Sequence, residues 1–314
     1  MGVTAAADMG TTIEDWQTFR RAGDSGRLSL RIMSYAISAD TMELIAGPRP
    51  TPWLYDDKLK LNGVKLYLDG ALGSRGAWLK QAYADDPGNT GLPLMSQAQL
   101  RNILVRASNG EFQVAVHAIG TAANADALSA VHEIAESFPG DRRWRIEHAQ
   151  IVDPVDIPLF GAHGIIASMQ PVHQTSDRTM AEARLGPDRL DGAYAWRSIA
   201  ATGAPLVFGS DAPVESPDPF AGLASAFTRT GSDGRPFGGW RPEEAVSREA
   251  ALAAFTKDAA FAGFAEGRFG QLVVGERADF VLVDRDPLLA TPEQLRETRV
   301  LQTWIGGRQV YRAE

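Results

Sequence analysis

The stretch "LVFGSDAPVESPDP" (residues 206–219) decides the fold, because an apolar strand pattern ends within it at Ser210 and Asp211 and a proline-punctuated loop follows. A carboxylate in such a place can cap a helix, shape a turn or act as a functional acid. The stretch alone leaves all three interpretations open, so the rest of the chain has to decide between them.

Six further segments share this strand pattern, and several are followed by apolar residues at helical spacing. The seven strand candidates are residues 2–8, 28–37, 63–70, 112–120, 143–152, 164–171 and 204–211. Helices are predicted over 96–110, where Ser96 and Gln99 form a capping box, and over 124–138 and 247–264. Alternating strands and helices predict an α/β fold with a parallel sheet and crossover helices.

The composition excludes several classes of function. The chain has 314 residues and a net charge of −8, from 31 Lys+Arg against 39 Asp+Glu, so it carries no electrostatic signature of nucleic-acid or anionic-membrane binding. It has no cysteine, which excludes disulfides, a thiolate nucleophile and a cysteine zinc site. No window approaches the ~18 apolar residues of a membrane span, and no signal peptide is recognisable, so a cytoplasmic location is predicted.

Polar residues stand at or near the carboxyl ends of five strand candidates. They are Lys65 and Asp69, His117, His148, Gln170 with His173 just beyond, and Ser210 with Asp211. In a parallel barrel these ends meet at one mouth. His117, His148 and Asp211 form a ligand set suited to zinc, iron or manganese. His132, in the middle of a helix, and His163, in a turn, are interpreted as structural.

A set of motifs in this order resembles one family and covers nearly the whole chain. The motifs are "GVKLYLDGALGSRGAWL" (63–79), "HAIGTAANADAL" (117–128), "RIEHAQIV" (145–152), "SMQPVH" (168–173), "GSDAPVESPDPF" (209–220) and "GQLVVGERADFVLVDRDPL" (270–288). Together they resemble the amidohydrolase superfamily, in its amidohydrolase-3 branch, to which N-substituted formamide deformylases belong.

The resemblance implies a (β/α)8 TIM-type barrel over 1–268 and the C-terminal part of a small β-sandwich over 269–314. It implies a metal-dependent hydrolase of carbon–nitrogen bonds in non-peptide amides or formamides, with one or two divalent ions, zinc foremost. His117 and His148 would be metal ligands, and Asp211 a ligand and general base. Lys65 would bridge two ions if it is carboxylated.

Further residues are substrate-binding candidates. Asp69, Gly70 and Arg75 belong to a loop over the mouth, where Arg75 either orients the substrate or lies in a surface turn. Gln170 and His173 are candidates for contacting a carbonyl or its developing oxyanion. The expected partner is a small-molecule amide, and a homo-oligomer is one open possibility.

The sequence departs from the family pattern in two places. Thr121 stands where an Asp usually follows "HAIG". No His-x-His pair occurs. All five histidines lie between 117 and 173, and no two of them are closer than ten residues apart. We therefore expect strands 2 to 8 of the barrel, with the first strand and the N-terminal half of the sandwich missing. A sheet without that strand has two open edges.

Two alternatives to an active hydrolase remain. The chain could be a truncated, catalytically inactive barrel with a binding or regulatory role. It could also be a barrel enzyme that uses Asp and Lys without a metal. Metal content and the effect of a chelator on activity distinguish these alternatives.

Overall fold

Seven parallel strands form a curled sheet whose strands follow one another in chain order. The structure is a computed structural model that describes residues 1–314. The strands are β1 (Ala5–Thr11), β2 (Arg31–Ala36), β3 (Leu59–Tyr67), β4 (Gln113–Ala118), β5 (Arg145–His148), β6 (Ile166–Met169) and β7 (Leu206–Phe208). All seven predicted strands are confirmed. Strands β1 and β7 are the open edges of the sheet.

Eleven helices accompany the sheet, and most of them connect consecutive strands. They are α1 (Ile13–Asp24), α2 (Ala39–Ala46), α3 (Gln97–Asn109), α4 (Thr121–Ala135), α5 (Pro158–Ala162), α6 (Pro171–Leu185), α7 (Trp196–Ala200), α8 (Pro219–Thr228), α9 (Arg248–Phe255), α10 (Lys257–Ala262) and α11 (Pro292–Arg296). The capping box of Ser96 and Gln99 begins α3 as predicted. Helix α4 begins three residues earlier than predicted, at Thr121.

The amino-terminal end of the sheet is closed by the segment 261–263. Asn62 donates to the Gly263 carbonyl at 2.9 Å, and Gln113 donates to the Ala262 carbonyl at 2.8 Å. Arg143 donates to the Phe261 carbonyl at 2.7 Å. These side chains, of which Asn62 and Gln113 are buried, satisfy carbonyls at the end of α10, so the closed end leaves the opposite end of the sheet as the mouth.

A small antiparallel sheet follows, with strands β8 (Phe280–Val283), β9 (Val300–Ile305) and β10 (Arg308–Arg312) in the order β10-β9-β8. It is anchored to the parallel sheet by Arg31 of β2, whose guanidinium is fully buried against Asp279. The proposed division of the chain after residue 268 stays a prediction.

One helix prediction was wrong. The helix predicted over 247–264 is two helices, because Thr256 leaves the helical region with φ −127° and ψ −98°. Within the motif 270–288 only residues 280–283 form a strand, which pairs with β9. Leu272, Val273 and Val274 lie exposed between Gly270 and Gly275, both of which have positive φ.

None of the helices combines the length and apolar character needed to cross a bilayer. The cytoplasmic location stays a prediction.

Candidate metal centre

The carboxyl ends of β3 to β7 bring the predicted polar residues to one mouth. In the strand register, Tyr67 lies beside His117 and Ala118 beside His148, so neighbouring strands end level with one another. Gln170 follows β6, and His173 lies in the first turn of α6. Asp211 lies three residues after β7. The parallel sheet therefore brings together in space side chains that are tens of residues apart in the sequence.

His148, His173 and Asp211 form a cluster of potential metal ligands at this mouth. One potential ligand atom from each lies within 4.8 Å of the other two. The His173 Nε2 is 3.8 Å from the Asp211 Oδ2, and the rings of His148 and His173 are stacked with centroids 5.9 Å apart. His173 is thus near enough to His148 and Asp211 to share an ion with them, and its predicted substrate contact stays a prediction.

The imidazole of His148 is fixed in one orientation. Its Nδ1 lies 2.8 Å from the Gln170 Oε1, while the Gln170 Nε2 donates to the Ser168 carbonyl at 3.3 Å. With the amide oriented in this way, His148 donates from Nδ1, which leaves a lone pair on Nε2. Burial, together with the neighbouring His117 and Lys65, lowers the pKa of His148 well below its usual value. The side chain is therefore neutral, as a metal ligand must be.

His117 lies beside this cluster, with its ring centroid 4.6 Å from that of His148. Its Nε2 is 3.4 Å from the Asp69 Oδ1 but forms no hydrogen bond in the structure. The Nε2 of His173 is also buried without a hydrogen-bond partner. Buried nitrogen atoms without partners are rare in proteins, so both point to a ligand that the structure does not contain.

Two of these residues have strained backbones. His148 has φ +75° and Asp211 has φ +57°, and both lie in the left-handed region that non-glycine residues seldom adopt. Ala149 follows His148 with φ +42°. Strain of this kind costs on the order of 1–3 kcal/mol per residue and is concentrated at functional sites. The strained positions therefore agree with the mouth being the functional end of the sheet.

Asp69 holds the loop 69–95 against the end of β4. Its buried carboxylate accepts hydrogen bonds from the backbone amides of Trp78, Ile119 and Gly120 at 2.8–3.0 Å. A Cβ on Gly120 would lie 2.1 Å from the Trp78 carbonyl oxygen, so the loop approaches β4 at a distance that only glycine permits. The structure thus gives Asp69 a structural role, and its predicted substrate contact stays a prediction.

Arg75 is held by an ion pair with Asp85. Its Nε and Nη2 donate to Asp85 at 3.1 and 3.0 Å, and Asp85 also binds Arg184 of α6. The Arg184 Nη2 donates to the Gly73 carbonyl at 2.9 Å. These contacts clamp the loop to α6. Gly70 lies inside the same loop, where its amide donates to the Gly76 carbonyl. Substrate contacts of Arg75 and Gly70 remain predictions.

A buried ionic network that the sequence analysis missed lies beneath the mouth. Arg145 donates to the Glu147 Oε1 at 2.5 Å and to the Ser168 Oγ at 2.6 Å. Burial would raise the pKa of Glu147, but Arg145 and Lys65 hold it below its usual value. The signal in the sequence was the alternation of charged residues in "RIEH" on a fully buried strand.

Lys65 of β3 is 3% exposed, and burial is the main cause that lowers its pKa to about 8. A neutral amine is the form that reacts with carbon dioxide. At fixed dissolved carbon dioxide we expect carboxylation of Lys65 to proceed about fivefold faster at pH 8 than at pH 7, because the neutral fraction rises from roughly a tenth to about a half.

Carbon-13 NMR with labelled bicarbonate measures this reaction. Lys65→Arg is expected to lack the carbamate signal, whereas Lys58→Arg, at a less buried position nearby in the chain, should retain it. An unchanged signal in Lys65→Arg would show that the carbamate forms elsewhere.

The residues at the mouth fit a divalent ion. Imidazole and carboxylate are the donors that zinc, iron and manganese share, and this set offers a neutral His148 and unpartnered nitrogens on His117 and His173. The types of donor atom and the buried nitrogens without hydrogen-bond partners both indicate that these residues suit a divalent ion.

Comparisons with known proteins agree with this assignment of the fold. The sequence model of the amidohydrolase family, Amidohydro_3, matches residues 1–311. The chain therefore belongs to the amidohydrolase family, and the predicted resemblance is confirmed. The chain is 34% identical to the protein LONG AFTER FAR-RED 3 of Arabidopsis thaliana, over 99% of this chain and 55% of that protein.

It is 24% identical to the N-substituted formamide deformylase of Arthrobacter pascens, over 98% of this chain and 57% of that enzyme. A crystal structure of a metal-dependent hydrolase from Pyrococcus horikoshii OT3 superposes with a TM-score of 0.82 at 27% identity, covering 93% of this chain and 58% of the other. The chain thus spans a little over half the length of these relatives.

Proposed function

We propose that this chain provides the metal-binding mouth of a hydrolase that cleaves carbon–nitrogen bonds in non-peptide amides or formamides. The observation that carries the proposal is the cluster of His148, His173 and Asp211, with potential ligand atoms within 4.8 Å at the carboxyl ends of parallel strands. The relatives support the reaction class, since they include a metal-dependent hydrolase and a formamide deformylase.

The proposed ligands are His148, His173 and Asp211, with His117 and a carboxylated Lys65 beside them. A divalent ion, zinc foremost, would act as a Lewis acid that lowers the pKa of water, so that hydroxide would be available to attack an amide at neutral pH. Lys65 lies close enough to Asp211 for its charge to influence the carboxylate. The set is compatible with one or two ions.

Asp211 is the residue proposed to move the proton. Its side chain is 38% exposed, so a substrate can reach it, and it faces the His173 Nε2. Burial raises the pKa of Asp211, while His173 and Lys65 act in the opposite direction. A more basic carboxylate takes a proton from the attacking water more readily and can then return it to the leaving nitrogen.

One observation favours the alternative of an inactive binding barrel. The parallel sheet stays open between β1 and β7, so its mouth is not enclosed on that side. An incompletely enclosed site excludes water less well, which weakens electrostatic catalysis. Turnover of an amide by the purified chain distinguishes the hydrolase from this alternative.

A chelator tests the proposal directly. Hydrolysis of a panel of alkyl and aryl formamides is expected to be lost after treatment with EDTA and restored by ZnCl₂. Activity that survives EDTA would favour a barrel enzyme that uses Asp and Lys without a metal. Binding of the same formamides without turnover, with zinc present, would favour the inactive barrel.

A further inference from the structure

The two histidines that lie away from the strand ends contact one another on the outer surface of the protein. His132 is an exposed residue of α4, and His163 is a half-buried residue that directly follows α5. The His132 Nδ1 lies 3.0 Å from the His163 Nε2, and the ring centroids are 5.0 Å apart. The sequence analysis interpreted each residue separately as structural, and the fold brings them together across 31 residues.

The spacing of the two nitrogen atoms suits a shared metal ion. Transition-metal ions bind imidazole nitrogen at about 2.0 Å, so two nitrogens at this separation subtend an angle of about 97° at a common ion. This angle is nearer to the 90° of tetragonal copper(II) and nickel(II) sites than to the tetrahedral angle of zinc. Copper(II) also has the highest affinity for nitrogen ligands among the divalent first-row ions.

The protonation state and exposure of the pair suit metal ligands. Burial and the proximity of His132 lower the pKa of His163, so the neutral ligand form is available near pH 7. Glu133, next to His132, is near enough for the two charges to interact, although its carboxylate is paired with Arg101. The exposure of His132 leaves room for water or a further ligand at the remaining coordination positions.

We propose that His132 and His163 form a second transition-metal site, separate from the mouth of the barrel, that binds copper(II) and more weakly nickel(II). In the metal-free protein the two rings share one hydrogen bond. Binding requires the donor ring to carry its proton on its other nitrogen, so that both nitrogens of the pair offer a lone pair, and it links α4 to the end of α5. The site is independent of the proposed hydrolytic function, and it adds to the metal content of any preparation exposed to these ions.

Titration of the metal-free full chain with CuCl₂ tests this proposal, followed by calorimetry and electron paramagnetic resonance. We expect His132→Ala to weaken one copper site by at least about 10-fold, because the second nitrogen binds intramolecularly once the first has bound. His163→Gln should have the same effect. The spectral component of the copper site that His132→Ala weakens should show coupling to two imidazole nitrogens, and this component should be absent from the spectrum of His132→Ala.

A matched control keeps the outer site and damages the mouth. His148→Ala is expected to retain the copper site of the histidine pair. Equal copper affinity and stoichiometry in wild type, His132→Ala and His163→Gln would overturn the proposal. If His163→Gln fails to fold, the exposed His132→Ala variant decides the outcome alone.

Discussion

Replacing Asp211 with asparagine is expected to lower kcat for amide hydrolysis by about 10²- to 10⁴-fold, the range over which a positioned proton carrier contributes to catalysis. Asparagine keeps the size of the side chain and tolerates the left-handed backbone at this position, where φ is +57°. It cannot accept a proton, and it is a weaker metal ligand. Initial rates with a formamide substrate measure the effect, and circular dichroism checks the fold.

Asp218→Asn provides the matched control for this variant. Asp218 lies in the same loop and caps α8 by accepting from the Phe220 amide at 3.0 Å. Asparagine caps helices about as well as aspartate, so we expect stability and kcat close to those of the wild type. Wild-type turnover in Asp211→Asn would contradict the role assigned to Asp211.

The largest effect on stability is expected from Asp279→Ala, which should lower the free energy of unfolding by about 3–5 kcal/mol. The side chains of Arg31 and Asp279 are 0% and 3% exposed, and they are joined by two hydrogen bonds of 2.5 and 2.8 Å. Removal of the carboxylate leaves the buried guanidinium without a counter-charge. It also removes the acceptor for the Gly306 amide.

Asp191→Ala is the control for a surface ion pair. Asp191 pairs with Arg241 at 2.8 Å, but its side chain is 80% exposed. We expect a change within about 1 kcal/mol, because solvent screens exposed pairs. Urea denaturation of both variants measures the difference. Equal stabilities would show that the Arg31–Asp279 pair does not join the two sheets energetically.

The fold could be predicted from the sequence to the level of individual strands. Apolar runs bounded by turn residues located all seven strands, and cap residues such as Ser96 located helix starts. The break at Thr256 was missed because the apolar spacing continues through it. The pairing of Arg31 with Asp279 spans 248 positions and depends on how the two sheets pack, which local patterns do not encode.

The sequence predicted that the candidate site lies at the carboxyl ends of the strands. It did not predict which of the site residues lie closest together. Strand ends in a parallel sheet must meet, so the positions of His117, His148 and Asp211 followed from topology. His173 lies beyond the end of a strand, and only the direction of the first turn of α6 brings it to Asp211. The Asp69 carboxylate accepts hydrogen bonds from three backbone amides, and these bonds likewise depend on the path of the loop 69–95.

Zinc content tests the central claim most directly. The His132→Ala variant lacks the outer histidine pair. It is loaded with ZnCl₂ and desalted, and its zinc content is measured by elemental mass spectrometry. We predict that it retains about one zinc ion per chain, and that adding His148→Ala and Asp211→Ala reduces the content to less than about a tenth of that. No zinc in the parent variant, or equal zinc in both variants, would contradict a metal centre at the mouth.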